Sequence, residues 1–355
     1  MSSMSSRTRT FGIDAFRLLT AVFVITSHGG RFEQFPEGVH TGIALMGRWA
    51  VPFFFIVLGY FLARNPDKNR AMPQMIRLGV MLVVASLILM PLNIAQEGVY
   101  GAVETVSTYF LLCGGHFHLW FLSSLIMGLL VIRITDEYEI PWLLPLCAIV
   151  SLVLAIWLGS YWSFASSHLG RHLSSIPFLW FGMLLSTRKL SVKDSLTLIA
   201  CGVGILCIEA VVLKQWFAQG MWESPTSLGA VPFAVGMFAL ATNIPNTKFV
   251  VAAGKLGKRY TGCIYVTHVY FIWLVDQAAT NMGIHDNLVY CALVVPTVLG
   301  LNLLTLLAID RFAPTCIDVL LGDKRAIQHA ASALTAWPRT VFESTGMWAA
   351  AKLRQ

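Results

Sequence analysis

Apolar stretches of about 20 residues recur along most of the chain and are separated by short polar segments. An α-helix of about 20 residues spans the roughly 30 Å hydrocarbon core of a bilayer. The segment 96–115 is too polar to span and is predicted to be a loop or an interfacial helix. The pattern therefore predicts an all-α, polytopic membrane protein with about ten transmembrane helices in one bundle. The ten predicted spans are 11–30, 43–63, 75–95, 116–135, 141–159, 172–188, 195–214, 226–243, 259–278 and 288–310.

The end of the chain has a different pattern. Charged residues are interspersed with apolar ones over 311–355, together with Trp337 and Trp348. Such a pattern is typical of a surface segment that is partly amphipathic. We therefore predict an integral-membrane domain at 1–310 and a cytoplasmic, partly amphipathic tail at 311–355.

Composition and charge support a membrane protein and predict its orientation. The 355 residues are 56% hydrophobic and 12% charged, whereas soluble domains carry about 25% charged residues. If the N-terminus is inside, 20 of the 25 Lys and Arg residues lie inside, four lie outside and Arg17 lies within the membrane. The positive-inside rule then predicts cytoplasmic N- and C-termini. Because the basic residues are spread through short loops, the net charge of +7 does not indicate a nucleic-acid partner.

The first predicted span carries three ionisable residues, Asp14, Arg17 and His28. Each costs roughly 2.5–3.5 kcal/mol on insertion scales, and such residues usually mark functional sites. Eleven residues are three helical turns plus about 20°, so Arg17 and His28 share one face about 16 Å apart. Asp14 lies one turn before Arg17, on a neighbouring part of that face. A snorkelling arginine and a histidine at a helix end are the alternative reading.

Four sequence motifs together resemble a known family. They are DAFRLLTAVFVITSHGG (14–30), RWAVPFFFIVLGYFLARN (48–65), FHLWFLSSLIMGLL (117–130) and KLGKRYTGCIYVTHVYF (255–271). In this order they are similar to segments of the integral-membrane acyltransferase family 3, bacterial enzymes that O-acylate, mostly O-acetylate, glycans and related acceptors. The resemblance covers most of the predicted spans. Two positions depart from it: Leu58 replaces a serine, and Gln74 replaces the first arginine of an R-x-x-R motif.

The resemblance implies a binding site for acyl-coenzyme A on the cytoplasmic side. Coenzyme A carries pyrophosphate and 3′-phosphate groups, and guanidinium groups bind such oxygens through paired hydrogen bonds. Arg17 and Arg77 are the predicted donor-binding residues. Asp14, beside Arg17, is predicted to be a catalytic residue together with Arg17 and His28. The cytoplasmic loop after the second predicted span holds further candidates for this role: Arg64, Lys68 and Arg70.

The resemblance also implies roles for residues toward the outer side. Acyl transfer to a hydroxyl requires a general base and donors for the developing oxyanion. We expect His28 to be the base, because its unperturbed pKa is near 6.5. Arg48 is expected to stabilise the oxyanion or to bind the acceptor. His118, Tyr265 and His268 are expected to line or support the site.

Other ionisable residues were weighed as metal ligands or buried acids. His116 and His118 would lie about 200° apart on a helix and could not share a metal there. His168 and His172 have i,i+4 spacing, but the sequence offers no third ligand, so a wet loop is preferred. Glu209 is a buried acid without an obvious partner. We expect no metal and no permanently bound cofactor.

These observations predict a multi-pass enzyme of the bacterial inner membrane. It would move an acyl group, most often acetyl, from cytoplasmic acyl-CoA to a sugar hydroxyl of a surface or secreted glycan or its lipid-linked precursor. Acyl-CoA, the glycan acceptor and membrane lipids are the expected partners. One alternative is a secondary transporter that uses its intramembrane Asp, Arg, His and Glu residues for substrate or proton coupling. A non-catalytic assembly subunit is a third, weaker reading.

Overall fold

Helices form the regular structure of the part of the chain that the computed structural model describes, which is residues 11–29, 35–159, 164–217, 227–285, 287–323 and 325–328. These residues contain no β-strand, as the sequence predicts. A 3₁₀ turn lies at Phe117–Leu119. The helices are α1 (Phe11–Gly29), α2 (Glu37–Gly47), α3 (Ala50–Ala63), α4 (Ala71–Cys113), α5 (Trp120–Glu137), α6 (Leu143–Gly159), α7 (Phe164–Leu173), α8 (Ser175–Leu185), α9 (Val192–Phe217), α10 (Ala230–Asn243), α11 (Lys248–Asn281), α12 (Leu288–Phe312) and α13 (Pro314–Leu320).

Every predicted span coincides with helical structure, so the helix predictions are confirmed. The polar segment 96–115 is mostly helical as well, because α4 continues to Cys113. The helix is broken at Gly98, whose φ of 73° and ψ of 173° are not helical. Beyond the break the chain turns back, and the N–H of Gly115 donates a 2.8 Å hydrogen bond to the hydroxyl of Ser86.

Among the described residues, five helical segments are long and apolar enough to cross a membrane, so a membrane protein is supported but the predicted count of ten spans is not confirmed. Some helices are too short to qualify, since α8 has 11 residues and α10 has 14. Helix α11 is long, but its first half carries Lys248, Lys255, Lys258 and Arg259. The five segments are Phe11–Gly29, Glu37–Ala63, Ala71–Glu137, Val192–Val212 and Leu288–Phe312.

Helix α1 lies among several others and packs most extensively against α11, with further contacts to α3, α10 and α12. Two glycines permit this close packing. A Cβ on Gly257 of α11 would lie 1.9 Å from the carbonyl oxygen of Asp14, and a Cβ on Gly12 would lie 2.1 Å from that of Ala241. Only glycine fits at such distances. The resulting contacts fix the direction in which the polar face of α1 points.

Ion pairs connect several helices at the end of the bundle where α1 begins. Arg70 donates two 3.0 Å hydrogen bonds to the carboxylate of Asp136. Arg259 binds Asp310 and, at 2.5 Å, Asp318. These pairs join segments that the charge pattern places on the same, cytoplasmic side.

The first part of the predicted tail packs against this same end. In α13, Ile317 and Leu320 are buried. The backbone carbonyl of Leu321 accepts a 2.8 Å hydrogen bond from Nε of Arg77. Residues 311–323 are therefore in contact with the helical body, whereas 329–355 lie outside the described residues.

Candidate active site

The polar face of α1 borders two cavities, one toward each end of the helix. Arg17 lines a cavity near the start of the helix, and His28 lines a second cavity near its end. The two side chains are three turns apart, as their spacing predicts. Nη1 of Arg17 lies 3.3 Å from Oδ1 of Asp14, which is buried. The carboxylate therefore holds the guanidinium from within the same helix.

We call the first space the inner cavity; its volume is about 350 Å³. Two predicted donor-binding residues, Arg17 and Arg77, both line it. Leu58 and Gln74, the two departures from the family pattern, line it as well. Its other walls are mostly apolar: Phe54, Val57, Phe61, Leu62, Leu78, Met81, Phe121, Leu122, Leu125, Thr261, Gly262, Tyr265 and Leu321, with Asn65 and Arg70.

The other candidate cations, which lie in or beside the connection between α3 and α4, are bound by protein groups. Arg70 lines the inner cavity, but its guanidinium is bound by Asp136. Lys68 is exposed and pairs with Glu139, and this hydrogen bond raises the pKa of Lys68 and lowers that of Glu139. Arg64 donates to the hydroxyl of Tyr60 and lies over its ring. Arg17 and Arg77 also contact protein groups, Arg17 through Asp14 and Arg77 through the carbonyl of Leu321, and both line the inner cavity.

The second space, the outer cavity, also measures about 350 Å³ and brings together most of the outer predicted residues. His28, Arg48, His118 and Tyr265 all line it. Further polar groups at its surface come from Thr26, Ser27, Arg171, Ser174 and Ser227, and its apolar walls include Phe23, Phe117, Trp120, Phe121 and Phe178.

Three histidines from three parts of the chain meet beside the outer cavity. The ring centroid of His28 lies 5.4 Å from that of His268 and 6.3 Å from that of His118. The rings of His118 and His268 are 5.3 Å apart, and both are completely buried. His28 is exposed by comparison, because its ring opens into the cavity. It is therefore the histidine of the three that a bound molecule can reach most directly.

Hydrogen bonds orient the two buried rings. Nδ1 of His268 lies 2.8 Å from the carbonyl oxygen of Tyr265 and must donate to it, which leaves Nε2 as the lone-pair nitrogen. The hydroxyl of Tyr265 donates to the backbone carbonyl of His118. Nε2 of His118 and Nε2 of His268 have no hydrogen-bond partner among the described residues.

The prediction that His116 and His118 point apart is wrong, because this segment is not α-helical. Gly114 has a φ of 62°, and His116 has extended backbone angles before the 3₁₀ turn. The two rings consequently meet, with 2.7 Å between their Nδ1 atoms. The described residues contain no group of three or more His, Cys, Asp or Glu side chains arranged to hold a metal ion.

A wall of two aromatic rings separates the cavities. Phe121 of α5 and Tyr265 of α11 line both spaces, and their ring centroids are 5.1 Å apart. Phe121 also stacks on Phe55 at 5.0 Å. The void behind the pair, reached by His268, is too small for a water molecule. The two rings therefore lie at the border between the two cavities.

Sequence reasoning missed Phe121 and Arg171 as cavity residues. Phe121 lies within a quoted motif but has no chemical signal of its own. Arg171 is one of the four basic residues that the charge pattern places outside, and its position next to an apolar run is a usable signal. Glu209, predicted to lack a partner, accepts hydrogen bonds from the N–H groups of Leu228 and Gly229 at 2.7 and 3.1 Å. The side chain of His168 lies outside the described residues.

The fold and the site define a helical membrane protein in which an arginine and a histidine of α1 face two cavities. A family model described as an acyltransferase domain matches residues 10–306, and the chain belongs to this family. The resemblance seen in the four motifs is thereby confirmed.

Two curated relatives match a smaller part of the chain. An amino-acid racemase of Enterococcus faecalis is 26% identical over 136 residues, which are 36% of this chain and 19% of the relative. A serine/alanine racemase of Enterococcus gallinarum is 29% identical over 131 residues, which are 34% of this chain and 19% of the relative. The chain thus matches about a fifth of the length of either relative. No solved structure matches the chain significantly.

Proposed function

We propose that the protein is an O-acyltransferase of the bacterial inner membrane. It takes an acyl group, typically acetyl, from cytoplasmic acyl-CoA and places it on a sugar hydroxyl of a surface or secreted glycan or its lipid-linked precursor. The observation that carries this proposal is the pair of cavities on one face of α1, with arginines at one and His28 at the other. Family membership adds acyl transfer as the reaction class.

The inner cavity is the proposed site for the donor. Arg17 and Arg77 supply guanidinium groups for the phosphates of coenzyme A. Asp14 keeps Arg17 oriented, since the two form an ion pair within one helical turn. The mostly apolar walls suit the pantetheine arm, whose thioester end points toward the wall formed by Phe121 and Tyr265.

The outer cavity is the proposed site for the acceptor and for the chemistry. The acceptor hydroxyl attacks the thioester carbonyl carbon while His28 takes its proton. The carbon–sulfur bond then breaks, and the coenzyme A thiolate leaves with the electron pair and is protonated from the His28 imidazolium. His118 and His268 hold the surroundings of His28 in place, and Tyr265 fixes the His118 backbone.

The test is consumption of acetyl-CoA by the purified protein in nanodiscs, followed as free thiol, with the glycan of its own host as acceptor. Arg17→Ala should raise KM for acetyl-CoA, because the contact is made with bound donor in ground and transition states alike. Arg17→Lys should restore activity only in part, since a point charge does not replace a planar fork. Arg133→Ala is the matched control, because Arg133 lies outside both cavities and pairs with Glu137.

Two results would reject the proposal. One is the absence of thiol release with any glycan fraction of the host. The other is solute uptake into proteoliposomes without acetyl-CoA binding, which would favour a secondary transporter.

A further inference from the structure

The outer cavity contains an arginine that the acyl-transfer chemistry does not use. Arg171 lies in α7, is half-buried, and places its guanidinium carbon 5.7 Å from the centre of the Trp120 ring. No Asp or Glu side chain pairs with it among the described residues. Its charge is therefore presented to the cavity over an aromatic platform.

A second arginine faces the same space. Arg48 lies in the chain between α2 and α3 and lines the outer cavity. It is close enough to Arg171 for the two charges to repel each other. Glu209 attracts Arg48, but its two carboxylate oxygens accept the N–H groups of Leu228 and Gly229. This carboxylate is thus hydrogen-bonded to backbone N–H groups at the start of α10, and it is not among the described residues that line the cavity.

The charged residues among the described lining of the cavity are all positive. Two arginines line it, and no carboxylate lies among its described lining residues. Two like charges in one cavity repel each other. A ligand that carries negative charge would remove that repulsion when it binds. A neutral sugar would not.

A buried hydroxyl adds a second polar contact. Ser227 is buried, lines the same cavity, and its hydroxyl has no hydrogen-bond partner among the described residues. Buried polar groups are almost always hydrogen-bonded, so an unpartnered one facing a cavity indicates a ligand group. The hydroxyls of a sugar are suitable partners.

We propose that the outer cavity binds an acceptor with an anionic group, a carboxylate or a phosphate, held by the guanidinium groups of Arg48 and Arg171. This inference rests on the proposed function and narrows the acceptor from glycans in general to acidic or phosphate-linked sugars. Guanidinium groups recognise both anions through paired hydrogen bonds. The sugar ring then contacts Ser227, and its reacting hydroxyl faces His28.

The experiment measures binding without turnover. Purified protein in nanodiscs is titrated with methyl glucuronide, glucose 1-phosphate and, as the neutral match, methyl glucoside, and the unfolding midpoint is followed. At least one anionic probe should bind about tenfold more tightly than methyl glucoside, and this preference should weaken as salt rises. The stronger of the two anions identifies the carboxylate or the phosphate as the group that the acceptor carries.

Variants then locate the site. Arg171→Gln should remove most of the preference for the anion, about tenfold in affinity, while Arg171→Lys should retain part of it. Arg133→Gln, outside both cavities, should leave it unchanged. Because Arg171→Lys keeps the charge, it also keeps the proposal testable if Arg171→Gln fails to fold.

Three outcomes have distinct meanings. Equal binding of neutral and anionic probes, or an anion preference that survives Arg171→Gln, would overturn the anion site. Loss of coenzyme A binding in Arg171→Gln but not in Arg77→Gln would place the donor in the outer cavity and also overturn it. Anion binding that depends on Arg171, without acetyl-CoA consumption, would retain the anion site and reject acyl transfer alone.

Discussion

His28 differs from its histidine neighbours in what can reach it. His118 and His268 are completely buried, and Nδ1 of His268 is bound to backbone carbonyls. The ring of His28 opens into the outer cavity and is 11 residues from Arg17 on the same helix face. These differences favour His28 over the other two rings as the proposed general base.

Substitution of His28 should therefore lower turnover and leave donor binding intact. His28→Gln keeps a hydrogen-bonding group but cannot take a proton, so kcat should fall by roughly 10²–10⁴-fold, as for a lost general base. The affinity for acetyl-CoA should stay close to that of the parent, because the proposed donor site is the inner cavity. Acetylation rates and calorimetric binding of acetyl-CoA test the two expectations.

His285→Gln is the control for this experiment, since His285 contacts Asp276 and lines neither cavity. If His28→Gln retains near-normal turnover, His28 is not the base. His118 or His268 would then be tested in the same way.

Residue-level prediction was successful where one helix determined the geometry. The positions of Arg17 and His28 follow from 100° per residue, and Asp14 follows from one further turn. The approach of His118 to His268 does not follow from the sequence, because it depends on how two distant segments pack. Arg171 was missed for a similar reason, since only the fold brings it to the same cavity as Arg48.

At the scale of elements, α5 and α11 supply the wall between the cavities. Phe121 is held by Phe54 and Phe55 on one side and by Tyr265 on the other. Such packing leaves little free space beside the ring. We therefore expect the wall to limit the size of the acyl group that reaches the outer cavity.

Phe121→Ala should relax this limit. The ratio of kcat/KM for butyryl-CoA to that for acetyl-CoA should rise by about tenfold or more, because one methylene in a pocket is worth roughly 10–200-fold in discrimination. Phe178→Ala is the matched control: Phe178 also packs near Phe55 but lines only the outer cavity. An unchanged ratio in Phe121→Ala would show that the wall does not select the acyl chain.

Element prediction succeeded for helices and failed at one connection. Long apolar runs determine helices whatever their neighbours are, so each of the ten stretches was found as helix. The sequence predicts that the fourth span begins at 116, whereas positive φ at Gly114 and a contact of Gly115 with Ser86 place residues 114–118 in a turn. Such a turn depends on tertiary hydrogen bonds, including that from Asn93 to the carbonyl of Gly115.

At the scale of the whole molecule, the two cavities distinguish the two ends of the helical bundle. Basic loops and their ion pairs surround the inner cavity, and the histidines and Arg48 lie at the outer one. Segments that the charge pattern assigns to one side are in contact, as Arg70 with Asp136 and Arg259 with Asp310 and Asp318. The number of crossings was not predictable to the same degree, because hydropathy does not distinguish a short helix buried in protein from one that spans lipid.

The orientation of these ends in the membrane is the last prediction, and the direction of acyl transfer depends on it. We expect the loops near 68, 191 and 255 to be cytoplasmic, and those near 35, 100, 220 and 284 to face outward. Single cysteines at Asp67 and Tyr100, both exposed, can be introduced after replacement of the seven native cysteines. An impermeant maleimide should label Tyr100→Cys in intact spheroplasts, and should label Asp67→Cys only after lysis. The opposite pattern would place the inner cavity outside the cell, where no cytoplasmic acyl-CoA could enter it, and the donor assignment of Arg17 and Arg77 would be wrong.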